Sequence, residues 1–148
     1  MKKTALITGA TSGIGKATAQ ILAKNNYKVI LCGRRKDRLE ELEKELSAFT
    51  EVYSLSFDVR DKENVFAAIG SLPTDFSTID VLINNAGNAH GLDPIQNGDI
   101  DDWDAMIDIN VKGLLYVSKA IIPQMIERKS GHIINIGSIA GKEVYPNG

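Results

Sequence analysis

Cysteine is nearly missing from this sequence: Cys32 is the only one in 148 residues. A lone thiol excludes an intrachain disulfide, a thiolate zinc cluster and a dithiol redox pair. Within the run KVILCG it reads as a small buried hydrophobe. Histidine is almost as scarce, and His90 and His132 stand far from other ligand types, so no metal site is expected. No sign of charge dominates: 17 basic and 19 acidic side chains leave a formal net charge of -2. That balance removes the broad attraction expected of a nucleic-acid binder. No apolar run approaches a membrane span, and Met1-Lys2-Lys3-Thr4 leads into a strand without the apolar stretch and small-residue cleavage site of a signal peptide. No membrane partner and a cytoplasmic location are therefore expected. Repeats, low-complexity tracts and linkers are lacking too, which makes residues 1–148 one domain.

What the sequence does have is alternation. The runs TALIT, KVILCG, VYSLSF, DVLINN and HIINIGS are rich in Val, Ile and Leu with little polar alternation, the pattern of strands buried on both faces. Between them lie amphipathic stretches: Ile14 to Asn25, Lys36 to Phe49, Asp61 to Ile69 and Asp101 to Glu127, the last to be kinked or ended early by Pro123. In the second, Leu39, Leu42 and Leu46 share one stripe, and Glu40 is expected to pair with Lys44 outside it. Five strands and four helices in strict alternation predict an α/β Rossmann-type fold, a doubly wound parallel sheet of strand order 3-2-1-4-5 with helices on both faces. Ligands of such sheets bind beyond the carboxyl ends of the strands where the winding reverses, here between the first and fourth.

Two motifs converge on that place. After the first strand the chain reads TGATSGIG, whose glycines Gly9, Gly13 and Gly15 cost backbone entropy that a mere connection does not require. A turn between strand and helix aims free N–H groups and the positive end of a helix dipole at one point, which suits a pyrophosphate. Gly9 would make the tight turn, Gly13 would admit the anion, and Gly15 would let helix pack close on strand. The spacing is G-x-x-x-G-x-G and not the common G-x-G-x-x-G, so the turn alone does not name its ligand. After the fourth strand comes NNAG, Asn84 to Gly87. At the end of the second strand, where a reader of NAD offers a carboxylate to the ribose hydroxyl, the sequence is Gly33-Arg34-Arg35. Arginine forks suit a phosphate, which favours NADP (NADPH). The competing reading, in which the two arginines only solvate a helix start, stays open, although a cation at a helix N-terminus is unfavourable there.

Thr8-Gly9-x-x-x-Gly13-Ile14-Gly15, Asp58-Val59, Asn84-Asn85-Ala86-Gly87, Asn110 and Ser138 in INIGS resemble, in order and spacing, the short-chain dehydrogenase/reductase family, and the resemblance covers the whole chain. It implies that Thr11, Ser12 and Ile14 help cradle the cofactor phosphates and that Asp58 and Val59 contact the adenine. Asn85, Ala86 and Gly87 would line the cofactor, Asn110 would hold a water of a proton relay, and Ser138 would hydrogen-bond the substrate oxygen. The residue-level alternatives are a buried amide bonding a helix carbonyl for Asn110 and a strand-end cap for Ser138.

The family's general acid/base is a tyrosine with a lysine four residues later, expected roughly thirteen residues past the serine, after Gly148. Tyr145 comes too early, precedes Pro146 and has no lysine a helical turn away. On this expectation the 148 residues are the cofactor-binding part of a longer enzyme, nearly inactive alone. The last strand would be an apolar sheet edge. Leu114, Leu115, Val117, Ile121, Ile122 and Met125 would need cover from later helices of the longer enzyme or, with Trp103, from a second copy in a homodimer or homotetramer. The implied activity is hydride transfer between NADP(H) and a small secondary alcohol or ketone, and the residues from Asn84 on are most similar to the branch acting on 3-hydroxy acids and serine-like substrates. A non-catalytic dinucleotide-binding module and an inactive fragment are the alternatives.

Overall fold

The computed structural model describes residues 2–146. Its strands are β1 (Thr4–Thr8), β2 (Lys28–Gly33), β3 (Val52–Ser56), β4 (Val81–Asn84) and β5 (His132–Asn135). Its helices are α1 (Gly13–Lys24), α2 (Lys36–Leu46), α3 (Lys62–Gly70), α4 (Thr74–Ser77), α5 (Ile100–Ile107) and α6 (Leu114–Glu127). All strands pair in parallel in the order β3-β2-β1-β4-β5, the expected doubly wound sheet.

β1 lies at the centre because every residue in it can be buried. In register, Leu6 faces Ile30 on one neighbour and Leu82 on the other, and Ile7 faces Leu31 and Ile83. The two-residue period then divides the core. Ala5 and Ile7 pack with Ala19 and Ala23 of α1 and with Leu39, Leu42 and Leu46 of α2. Leu6 packs on the opposite side with Val65 and Ile69 of α3 and Val117, Ile121 and Met125 of α6. Cys32 sits in this second layer, where burial pushes its thiol pKa up, so it behaves as a hydrophobe.

Several boundaries differ from the sequence reading. α2 ends at Leu46, the last of its buried leucines, and the ion pair across one of its turns is Lys36–Glu40 at 3.8 Å in place of Glu40–Lys44. The strict alternation is interrupted by α4, one short turn that buries Phe76. The last helix begins at Ile100, capped by Asp99 accepting from the Asp101 N–H, and continues through a π-helical segment, Asp108–Gly113, into α6.

Pro123 does not end that helix, which runs on to Glu127. Pro123 is on the exposed side, where a carbonyl deprived of its donor can meet water, while Ile121 and Met125 on either side of it are buried. Tertiary ties hold the last turn as well. Gln124 Oε1 accepts from the Ile79 N–H at 2.9 Å, and Arg128 donates to the Ile79 carbonyl at 2.7 Å and to Asp80 Oδ1 at 3.2 Å.

Of the apolar residues expected to need cover, Val117, Ile121 and Met125 find it within the chain, whereas Leu115 is exposed. β5 is exposed along its length at the sheet edge. Among the described residues no helix is long and apolar enough to cross a membrane.

Candidate functional site

At the carboxyl end of the sheet, where the winding reverses between β1 and β4, lies a cleft of about 800 Å³. It is lined by Gly9, Thr11, Ser12, Ile14, Arg34, Arg35, Asp58, Val59, Asn85, Ala86, Gly87, Asn110 and Ser138, which brings together all the expected site residues except Gly13 and Gly15.

Gly15 works from behind the cleft: a Cβ there would run into the Gly9 carbonyl oxygen and the Asn85 amide. Gly9 has φ +65°, and a Cβ on it would lie 2.9 Å from Asn85 Nδ2 and 3.0 Å from Ala86 Cα. The two turns therefore approach so closely that only glycine fits. Gly13 faces open space and is required by its φ of +53° alone. Ser12 is the N-cap of α1 yet its side chain makes no capping bond, so the N–H groups of the first turn receive no internal side-chain acceptor.

Thr8, which the sequence reading named in the motif without giving it a role, is the hub. Its Oγ1 accepts from the N–H groups of Asn85 and Ala86, each at 3.0 Å, and Asn85 Nδ2 donates back to the carbonyls of Thr8 at 2.9 Å and Gly9 at 3.2 Å. These bonds tie the end of β1 to the turn after β4.

Asn110 occupies the π-helical segment, and its amide pairs both ways with the backbone of Asn88. Oδ1 accepts from the Asn88 N–H at 2.9 Å, and Nδ2 donates to the Asn88 carbonyl at 2.8 Å. It is exposed and bonds a loop, unlike the buried amide on a helix carbonyl that was its alternative. The wider turn is held against the site by Gly113, where a Cβ would lie 2.7 Å from Val59 Cγ2. Ser138 caps the short 3₁₀ turn Ile139–Gly141, accepting from the Ala140 N–H at 3.1 Å. Asn84 Oδ1 and Asn88 Oδ1 are buried without a hydrogen-bond partner among the described residues, and both residues line the cleft.

The charged end of the cleft lies beyond β2. Arg35 Nη2 donates to Thr11 Oγ1 at 2.8 Å and to Ser12 Oγ at 3.1 Å, tying the arginine to the glycine turn. Arg34 Nη1 stands 3.7 Å from Asp58 Oδ2. Arg60, which the sequence reading passed over, places its Nη2 2.7 Å from the same oxygen and its Nε 3.1 Å from both carboxylate oxygens. Burial disfavours the ionised form of Asp58. Hydrogen bonds from Arg60 and the charges of Arg60 and Arg34 outweigh that and hold its carboxyl below the ordinary value. The only signal for Arg60 in the sequence was its position two residues after Asp58.

A parallel 3-2-1-4-5 sheet with a glycine turn and an asparagine turn locked together at its switch point defines a Rossmann-type α/β protein. More narrowly, the chain belongs to the short-chain dehydrogenase family, whose family model matches residues 3–148. It is 46% identical over 143 residues to the NADP-dependent 3-hydroxy acid dehydrogenase YdfG of Escherichia coli O6:H1, a match covering 97% of this chain and 57% of that protein. It is also 46% identical over 147 residues to sulfoacetaldehyde reductase 2 of Chromohalobacter salexigens, covering 99% of this chain and 58% of the relative. Among solved structures, the closed form of a serine dehydrogenase complexed with NADP+ superposes with a TM-score of 0.91 at 43% identity, covering 97% of this chain and 57% of that one. The chain thus spans little more than half the length of these relatives.

Proposed function

We propose that this chain is the cofactor-binding part of an NADP-dependent oxidoreductase that interconverts a small secondary alcohol and its ketone, with a 3-hydroxy acid as the substrate class. The observation that carries the reading is the pair of guanidiniums, Arg34 and Arg35, on the cleft beside a glycine turn at the switch point. NADP has a pyrophosphate and a 2′-phosphate, and the cleft has a fitting feature for each. The uncapped first turn of α1, with no side chain at Gly9 or Gly13 to fill the approach, suits the pyrophosphate. The arginines suit the 2′-phosphate. The names of the relatives favour the same cofactor and substrate class.

In this reading Thr11, Ser12 and Ile14 hold the pyrophosphate end, Arg34 and Arg35 the 2′-phosphate, and Asp58 and Val59 the adenine. Asn85, Ala86 and Gly87 form the wall along the remainder, with Gly15 keeping α1 close behind. When bound, the nicotinamide ring donates or accepts the hydride. Ser138, in the segment after β5, hydrogen-bonds the substrate oxygen and so orients the reacting carbon. Asn110 keeps the loop at Asn88 in place and holds a water for the proton relay.

The same reading makes the enzyme a homodimer or homotetramer through the outer face of the long helix. Trp103, Ile107, Val111 and Leu115 recur every four residues along it and are all exposed.

Fluorescence titration of the full chain with NADPH and NADH tests the cofactor assignment, and turnover of small 3-hydroxy acids by the whole enzyme tests the substrate class. Arg34→Ala is expected to weaken NADPH by about 10- to 100-fold, the worth of a charge-assisted phosphate contact, and NADH by no more than about threefold. Equal losses for the two cofactors would overturn the 2′-phosphate assignment.

A further inference from the structure

Asp58 faces two arginines that are not equivalent. Arg60 grips the carboxylate with Nη2 at 2.7 Å from Oδ2 and Nε at 3.1 Å from each oxygen, and its backbone N–H adds a bond of 3.0 Å to Oδ1. Arg34, across the cleft edge at the end of β2, comes only to 3.7 Å of Oδ2, beyond hydrogen-bond distance, and its side chain is 60% exposed. The other acid whose charge reaches Arg60, Asp108, is occupied by Lys112 at 2.7 Å. Arg60 is therefore committed to Asp58, while Arg34 is left with an open fork.

We infer that Arg60 is a positioning residue for cofactor choice: by occupying the Asp58 carboxylate it keeps the Arg34 guanidinium free for the 2′-phosphate of NADP. The inference rests on the NADP reading of this cleft and adds to it a residue that touches no part of the cofactor. Its physical content is a competition. With Arg60 in place, the guanidiniums of Arg34 and Arg60 and the Asp58 carboxylate sum to one positive charge, which adds to that of Arg35 beside the phosphate position. Without it, Arg34 is the remaining cation paired with Asp58 among the described residues. A closing of the 3.7 Å gap turns Arg34 into the partner of a carboxylate, and that neutral pair leaves Arg35 alone to meet the phosphate. A cofactor with a free ribose hydroxyl at that position loses little by the change.

The test is Arg60→Gln in the full chain, with dissociation constants for NADPH and NADH measured by fluorescence and the fold checked by thermal melting. NADPH affinity is expected to fall about tenfold and NADH affinity to stay within about twofold. Arg60→Lys, which keeps a cation on Asp58, is expected to retain most of the preference.

The decisive arm is Asp58→Asn combined with Arg60→Gln. Removing the carboxylate ends the competition, so the NADPH to NADH ratio recovers even though both cofactors bind more weakly for want of the Asp58 contact. An equal loss for both cofactors in Arg60→Gln, or a ratio that stays low in the double variant, overturns the inference and makes Arg60 a structural residue. The NADP reading is judged separately by the untouched Arg34. If the unmodified chain prefers NADPH and Arg34→Ala abolishes that preference, the reading stands whatever Arg60 shows. An unmodified chain with no preference overturns both.

Discussion

At the scale of single residues, the site depends on atoms that are missing as much as on those present. Gly9 and Gly15 bring the turn after β1 against the turn after β4, and Gly15 has backbone and an amide where a Cβ would go. Neither neighbour can step aside cheaply, because Asn85 is held by two carbonyls through its side chain and by Thr8 through its backbone. Gly15→Ala is therefore expected to destabilise the fold by roughly 1–3 kcal/mol or more, by overpacking. Urea unfolding of the variant beside the parent measures this, and an unchanged midpoint would show that the turns have room to separate. Gly13→Ala meets only a backbone cost, since its surroundings are open. The glycines were legible in the sequence as a bare turn. That this turn meets the NNAG turn was legible too, but the individual bonds between Thr8 and Asn85 were not, because they depend on how closely the two strand ends pack.

At the scale of elements, the long helix does two things that its sequence did not announce. It passes through a π-helical segment at Asp108–Gly113, and it survives Pro123. The wider π turn changes which side of the helix its residues present, and π segments recur at functional sites. Here it brings Asn110 to the Asn88 loop while Gly113 rests against Val59. Asn110 thereby links the helix to the start of the loop at Asn88, while Asp102 and Trp103 meet the loop further on. Replacing it with Ala removes both bonds to Asn88, each worth about 0.5–1.5 kcal/mol. The Asn88 amide is then expected to exchange with solvent at least several-fold faster, read by hydrogen–deuterium exchange. Unchanged protection would mean that the loop is held by other contacts. The strands were readable for the opposite reason, since β1, β2 and β4 are buried by the same parallel pairing that their apolar runs imply. Where burial is weak the boundaries drifted: the exposed β5 stops at Asn135, short of the HIINIGS run.

At the scale of the whole molecule, the two faces of the sheet are not equally supplied with cover. α1 and α2 close one side over β1 and β2, and α3 and α6 close the other, while β5 remains open at the edge. The stripe Trp103, Ile107, Val111 and Leu115 is exposed and belongs to neither core. If the long helix carries the subunit interface, Leu115→Asp places a charge in a desolvated contact while leaving the monomer's core untouched. It is expected to shift the assembly to smaller species in light scattering at equal concentration, with the melting cooperativity of the monomer retained. An unaltered mass distribution would remove this stripe from the interface.

The sequence by itself determined the order of elements, the parallel sheet and the place of the cleft. Apolar runs buried on both faces can pair only in parallel under helices, and right-handed crossovers then leave one switch point. It also marked most of the residues around that cleft, because glycines and asparagines at strand ends are conspicuous against the core. Tertiary structure alone decided the contacts that make the site a unit: Thr8 on the Asn85 turn, Asn110 on the Asn88 backbone, and Arg60 rather than Arg34 on Asp58. Each of these is a choice among several donors of the right kind, and such choices are settled by ångström distances that depend on how the layers pack.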